Sequence, residues 1–167
     1  GYFRGNVMKI LVISDTHSNL SKVYRVINSI ADKIDAVIHC GDVVEDVDSL
    51  KIRYPELKFY NVRGNCDYGS AVPNEDIFVL FGKKFFVTHG DLYGVNWSID
   101  RLCYKGAEVG ADVCLYGHTH IPLVDNYNGI IIMNPGSLSS PRGGSNYSYG
   151  IIKIEDDIVI PSIVEYK

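Results

Sequence analysis

Short apolar runs that each end in a polar turn constrain the fold of this chain more than any other feature. Three runs rich in β-branched and aromatic residues, typical of buried strands, occupy residues 9–14, 36–39 and 58–62. Residues 20–32 have helical apolar spacing, with Ser18 or Asn19 as the predicted N-cap, and residues 47–54 are a second candidate helix. Strands that alternate with helices predict an α/β fold whose helices cover a sheet.

The second half of the chain carries two hairpin signals. Gly82-Lys83 and Asn128-Gly129 are tight-turn dipeptides that each separate two apolar runs. The sheet is therefore predicted to become antiparallel from residue 76 onward. The other predicted elements are a helix at 96–108, strands at 77–81, 84–88, 113–116, 123–127, 130–133, 147–154 and 158–164, and a Gly/Ser-rich loop at 137–148. We expect a layered α/β sandwich.

The size of the chain predicts one domain. Its 167 residues are 46% hydrophobic, enough to bury one sizeable core, which we assign to residues 8–167. Residues 1–7 precede Met8, a plausible initiator, and are interpreted as the remnant of an expression tag.

The charge balance excludes some classes of partner. With a net charge of −4, the chain lacks the basic surface that nucleic acids and anionic membranes attract. Ser14 and Asp15 interrupt the first apolar run too early for a signal peptide or a membrane span. The four cysteines have no CxxC spacing, which favours free thiols in a reducing compartment. We expect a cytoplasmic protein that binds neither nucleic acid nor membranes, and that needs a local attractant such as metal for any anionic substrate.

Potential metal ligands follow each of the three strands predicted in the first half of the chain and two later strands. They are Asp15, His17, Asp42, Asn65, His89, His118 and His120. The carboxyl ends of strands in an α/β sheet converge on one edge, so these side chains are predicted to meet. Four of the five histidines fall in this set, and the fifth, His39, is predicted to be a buried supporting residue. Imidazole and oxygen ligands without thiolate favour Mn, Fe, Co, Ni or Zn over Ca or Mg.

The motifs DTH, GD, GNCD, HG and GHTH occur in that order, and Asn134-Pro135-Gly136-Ser137 follows them. With these motifs the chain resembles the calcineurin-like metallophosphoesterases, and within them the small bacterial and archaeal phosphodiesterases. The resemblance covers the chain from Met8 onward and implies an αββα sandwich of mixed sheets.

The resemblance also implies a two-metal site. Asp15, His17 and His120 would hold the first ion, and Asn65, His89 and His118 the second. Asp42 would bridge both ions. Manganese is our first expectation for the two divalent ions, with Ni, Fe, Co and Zn as alternatives. A hydroxide bridging them would attack a phosphodiester, and also a phosphomonoester, in line. Asp42, Asn65, Cys66 and His118 would be the catalytic residues.

The general acid and the substrate contacts are less constrained. Cys66 stands where many relatives have a histidine that assists the leaving group, so we expect slow turnover of poor leaving groups. Asn65, Cys66 and Arg142 are candidate substrate contacts. The turn at 134–137 could also approach the phosphate, or it could be a surface loop beside an exposed arginine. Residues 92–97 could overhang the site, or Trp97 could pack into the start of a helix.

Two other functions are compatible with this fold. A related subunit of the eukaryotic retromer coat uses it as a scaffold for protein contacts, but the seven intact ligand positions favour an enzyme. A metal-dependent nuclease would share the chemistry, but the acidic balance argues against it. By resemblance we expect a small phosphate-ester substrate and a homodimer or small homo-oligomer.

Overall fold

A computed structural model describes residues 7–167 and contains two five-stranded sheets packed face to face. The interpretation of residues 1–7 as a tag therefore lies outside the described residues, apart from Val7. The first half of the chain forms β1 (Met8–Ile13), α1 (Ser21–Ile30), β2 (Ala36–His39), α2 (Val44–Arg53) and β3 (Lys58–Asn61). The second half forms β4 (Glu75–Leu80), β5 (Lys83–Thr88), a 3-10 turn (Asp91–Tyr93), α3 (Asp100–Glu108), β6 (Val113–Leu115), β7 (Leu123–Tyr127), β8 (Ile130–Asn134), β9 (Ser148–Glu155) and β10 (Ile158–Glu165).

Both sheets are mixed. The first has the order β10-β9-β1-β2-β3, in which β1, β2 and β3 are parallel because the helices α1 and α2 form the crossovers. The second has the order β4-β5-β6-β8-β7, in which β5, β6 and β8 are parallel and the two hairpins form its edges. The prediction of an antiparallel second half is therefore correct for these hairpins and for β9 and β10 of the first sheet, but wrong for the parallel strands β5, β6 and β8.

The core follows from the alternation of side chains along each strand. In β1, Ile10 and Val12 face the second sheet, where Phe85 and Met133 complete the layer between the sheets. The neighbouring residue Leu11 points the other way, to the layer that α1 and α2 cover. A third apolar cluster lies between α3 and the outer face of the second sheet. These three apolar layers confirm the predicted αββα sandwich.

Several element boundaries differ from the prediction for local reasons. Helix α1 begins after Leu20 and has no side-chain cap, so the predicted cap by Ser18 or Asn19 is wrong. Helix α3 begins at Asp100, because the predicted first turn is a loop on the surface. The first hairpin turns at Phe81-Gly82, one residue earlier than predicted, and both residues have positive φ.

Cys40, Cys103 and Cys114 are buried free thiols, as predicted, whereas Cys66 is exposed. Among the described residues, no helix is long and apolar enough to cross a membrane.

Candidate metal centre

The parallel strands bring the predicted ligands to one edge of the sandwich. Asp15 follows β1, Asp42 follows β2 and Asn65 follows β3 in the first sheet. His89 directly follows β5 and His118 lies shortly after β6 in the second sheet. Because the two sheets pack face to face, these ends meet, and all seven predicted ligands lie in one cluster.

One group of ligand atoms surrounds the carboxylate of Asp15. Its Oδ1 lies 3.2 Å from Nε2 of His120, 3.7 Å from Nε2 of His17 and 3.7 Å from Nε2 of His89. The two Nε2 atoms of His17 and His120 are 3.3 Å apart. Asp15, His17 and His120 therefore offer a carboxylate oxygen and two imidazole nitrogens to one point, as expected of the first metal.

The carboxylate of Asp15 has one satisfied oxygen and one that lacks a partner. Oδ2 accepts hydrogen bonds from the Ser14 hydroxyl at 2.7 Å and the His118 backbone N–H at 2.9 Å. Oδ1 is fully buried and has no hydrogen-bond partner among the described residues. Burial raises the pKa of Asp15, but the nearby His120 and His17 more than offset it, and the resulting pKa is well below its usual value. A buried, ionised oxygen without a partner is costly unless a cation binds there.

A second group of ligand atoms lies beside the first. Oδ1 of Asn65 is 3.0 Å from Nε2 of His89 and 3.1 Å from Nδ1 of His118. The two ring nitrogens of these histidines are themselves 3.3 Å apart. Three donor atoms thus converge on a second point, and they are the residues predicted to hold the second metal.

Asp42 lies between the two groups. Its Oδ2 is 3.3 Å from Nε2 of His89 and 3.8 Å from Nε2 of His17, one residue from each group. Burial raises the pKa of Asp42, but His89 and the backbone N–H of Cys66 lower it by more. The resulting pKa is below its usual value, so the carboxylate is ionised. A methyl group on Gly64 would lie 1.8 Å from Oδ1 of Asp42, so only glycine leaves room for this carboxylate.

Backbone carbonyls fix the tautomers of two histidines. Nδ1 of His89 donates to the carbonyl of Cys40 at 2.7 Å, and Nδ1 of His120 donates to the carbonyl of Ser140 at 2.6 Å. A carbonyl only accepts, so each Nδ1 carries a proton, and Nε2 is the ring atom through which each histidine can bind a cation. Burial lowers the pKa of His89, but Asp42 and Asp15 raise it to about 9, so a metal ion would have to displace a second proton from Nε2.

A buried hydrogen-bond chain supports the turn that carries His17. Gly41 donates its N–H to Nδ1 of His39, so Nε2 of His39 carries the proton and donates to Oγ1 of Thr16 at 3.0 Å. Thr16 in turn donates to Oδ2 of Asp46 at 2.5 Å. Burial lowers the pKa of His39 to about 4, so the ring is neutral. His39 is thus a buried supporting residue, as predicted.

The sequence pattern of the calcineurin-like phosphoesterase superfamily domain matches residues 8–157. This chain belongs to that superfamily. It is 34% identical to the probable metallophosphoesterase YsnB of Bacillus subtilis, over 90% of this chain and 86% of YsnB. It is 31% identical to the phosphodiesterase YfcE of Escherichia coli K12, over 87% of this chain and 88% of YfcE. A crystal structure of a predicted phosphoesterase from Streptococcus pneumoniae TIGR4 superposes with a TM-score of 0.82 at 32% identity, covering 95% of this chain and 90% of that one.

The family prediction made from five short motifs is therefore confirmed, and divalent metal ions are the cofactors that this superfamily implies. The number of ions, their identity and the ligand role of each residue stay predictions. The buried unpartnered oxygen of Asp15 and the convergent imidazoles fit such ions.

Cys66 lies at the open side of this superfamily site. Its side chain is exposed, and its Sγ is within 4.8 Å of ligand atoms of His17 and Asp42. Partial burial and the carboxylate of Asp42 raise its pKa, so the thiol is neutral. Arg142 is exposed too, and lines a cavity next to the site together with Trp97.

The turn at 134–137 differs from both alternatives considered for it. Asn134 and Ser137 are fully buried, so it is neither a surface loop nor a substrate contact. Asn134 donates to the carbonyl of Gly117, and Ser137 donates to the carbonyl of Asp15 at 2.9 Å. The turn therefore holds the backbone beneath the ligands. Trp97 is 92% exposed, so the alternative in which it packs into the start of a helix is wrong.

Two supporting carboxylates were not predicted from the sequence. Asp67 is the acidic residue of the GNCD motif, and it accepts three backbone N–H groups, from Asp42, Val44 and Gly64. Asp46 belongs to none of the five motifs. The available signal was an acidic residue on the apolar side of α2, where Val47 and Leu50 are buried.

Proposed function

We propose that this chain hydrolyses phosphodiesters with two divalent metal ions, manganese being the first candidate. The observation that carries the proposal is the buried Oδ1 of Asp15, which lacks a hydrogen-bond partner although imidazole nitrogens surround it. A second set of donors, Asn65, His89 and His118, adjoins it, and Asp42 lies between the two. The superfamily membership and the similarity to a phosphodiesterase support the choice of reaction.

The donor set fits such ions. It combines imidazole nitrogens with carboxylate and amide oxygens, a mixture that suits first-row divalent metals. Asp15, His17 and His120 would hold one ion and Asn65, His89 and His118 the other, with Asp42 between them. Two bound cations lower the pKa of a water molecule, orient the phosphate and neutralise its charge.

The residues of the chain then have separate roles. Asp15 and Asp42 would supply two negative charges that hold the cations. The backbone carbonyls of Cys40 and Ser140 keep the protons of His89 and His120 on Nδ1. Substrate would approach from the side where Asn65 and Cys66 are exposed.

Departure of the leaving group needs a proton, and the thiol of Cys66 is poorly suited to donate one. The raised pKa of its thiol keeps the proton bound at neutral pH and makes the group a weak acid. We therefore expect fast turnover only of esters with good leaving groups, such as p-nitrophenol.

The test is hydrolysis of bis(p-nitrophenyl) phosphate and of p-nitrophenyl phosphate by metal-stripped protein with added Mn, Ni or Zn. Asp42→Asn and His89→Ala should abolish metal-dependent activity, whereas Asp48→Asn, an exposed aspartate on α2, should not. Faster hydrolysis of the diester than of the monoester is the expected ranking. A metal-loaded protein inert toward both esters would contradict the proposal and favour a scaffold that acts through protein contacts.

A further inference from the structure

A cavity next to the candidate metal centre is built differently from the rest of the site. It has a volume of about 380 Å³, and its walls are mainly apolar. The residues that line it include Asn96, Trp97, Thr119, Ile121 and Arg142.

The cavity adjoins the metal centre directly. Asn96 lies against His118, with its Nδ2 3.0 Å from Nε2 of the ring. The other ring nitrogen of His118 faces Asn65 and His89. Thr119, which stands between the ligands His118 and His120, is part of the cavity wall. A phosphate held at the centre would therefore direct one of its ester groups toward this cavity.

A second cavity beside the centre has a mostly polar lining. The cavity of about 290 Å³ beside Asn65 is lined mostly by polar residues, among them Arg63, Asp67 and Asp91. Its polar and charged lining disfavours an apolar substituent. The apolar cavity has no acidic residue, and its one charged group is the cation of Arg142.

Trp97 is the feature that points to an aromatic occupant. It is the only tryptophan of the chain and is 92% exposed at the rim of the apolar cavity. Ile121, also on the cavity wall, is 42% exposed. A ring inserted there would stack on the indole and cover both side chains. A cavity of roughly 150 Å³ already holds a benzene molecule in another protein, so the space suffices for an aromatic group and its linkage.

We infer that this apolar cavity binds an aromatic substituent of the phosphodiester substrate, with Trp97 stacked on the ring and Ile121 at its edge. The inference rests on the proposed function, because it takes the metal centre to hold the phosphate. Arg142 adds a positive charge where the diester enters. The substrate class is accordingly an aryl or nucleobase-bearing phosphodiester, in preference to one with only small alkyl groups.

The test compares phenylphosphonate with methylphosphonate as ligands of the manganese-loaded protein. Both present the same head group to the metals, so the ratio of their dissociation constants reports the cavity alone. We expect phenylphosphonate to bind about 5- to 150-fold more tightly, the range that corresponds to stacking of one base on an aromatic side chain. It should also shift the fluorescence of Trp97 to shorter wavelength, whereas methylphosphonate should not.

Variants in the apolar and polar cavities show whether the preference for the phenyl compound comes from the apolar cavity. Trp97→Ala should remove most of the preference for the phenyl compound, and Ile121→Ser should reduce it about threefold or more. Leu92→Ser is the matched control, since Leu92 is 57% exposed and lines the polar cavity instead. Its preference should equal that of the wild type.

The outcomes separate the two proposals. Metal-dependent ester hydrolysis with equal affinity for both phosphonates would overturn this inference and leave the proposed function standing. An equal loss of preference in Leu92→Ser and Ile121→Ser would overturn it as well. A protein that binds neither phosphonate and hydrolyses no ester would overturn both.

Discussion

Replacement of Asp46 by alanine tests how the turn that carries His17 is held in place. Asp46 is 5% exposed, and its Oδ2 accepts hydrogen bonds from the Thr16 hydroxyl at 2.5 Å and from the Ser18 backbone N–H at 2.9 Å. These two donors flank His17 in the sequence. The variant would leave the buried Thr16 hydroxyl and the Ser18 backbone N–H without this acceptor.

The expected loss follows from these two bonds. A hydrogen bond to a charged group contributes about 1.5–3 kcal/mol, so the free energy of unfolding should fall by roughly 3–5 kcal/mol. In a chain of this length each kcal/mol lowers Tm by about 2–4 °C, which predicts a decrease of roughly 10 °C. Loss of a residue that orients a metal ligand typically weakens metal binding by about 10- to 100-fold, and the same is expected here.

Urea unfolding followed by circular dichroism measures the first effect, and calorimetric titration of metal-stripped protein with manganese measures the second. Asp48→Ala is the matched control, because Asp48 lies on the same helix and is exposed. Asp46→Asn retains an acceptor oxygen and should lose about half as much stability. Equal stability of Asp46→Ala and Asp48→Ala would refute the buried bonds. A destabilised Asp46→Ala with unchanged metal affinity would refute its role in positioning His17.

Three further predictions concern the site and the core. Gly64→Ala would put a methyl carbon 1.8 Å from Oδ1 of Asp42 and displace this carboxylate. We expect calorimetric titration to show a metal affinity reduced about tenfold or more, and an unchanged affinity would contradict the predicted clash. The pKa of His89 is raised to about 9, so below that pH a metal ion must displace a proton from the ring. The apparent metal affinity should therefore fall about tenfold for each unit by which the pH is lowered below 9, and an affinity independent of pH would contradict this. Phe85→Ala removes a fully buried ring between the sheets and should cost about 3–5 kcal/mol in urea unfolding, whereas a cost below about 1 kcal/mol would contradict its burial.

The sheet order of this fold depends on contacts that local sequence patterns do not encode. Strands β1, β2 and β3 could be predicted because their apolar runs alternate with helical segments. The second sheet was harder, since β8 pairs parallel with β6 and antiparallel with β7, although only the hairpin with β7 has a local turn signal. The start of α3 was misplaced for a related reason. Residues 96–99 are predicted to be the first turn of this helix, but in the structure they form part of the wall of a cavity.

The site was more predictable than the fold because its ligand types are rare and follow strand ends. The position of each predicted ligand could be inferred from its strand, and the distances around Asp15 and Asn65 agree with that inference. The supporting residues could not be found in the same way. Asp46 and Asp67 look like ordinary surface carboxylates in the sequence, and only the packing of α2 and the turn after β3 buries them.

The backbone of the predicted ligands explains why their neighbourhood resists prediction from local preferences. Ten non-glycine residues in the described part of the chain have positive φ, and five of them are predicted ligands: Asp15, His17, Asp42, His118 and His120. Each such conformation costs about 1 kcal/mol or more for most residues, and aspartate and histidine, although they adopt it more often than other side chains, reduce this cost without removing it. Strand pairing and the buried carboxylates hold these residues in place. The conflict between local preference and observed backbone is therefore concentrated where the side chains converge, which is expected of residues selected for what they bind and not for how they fold.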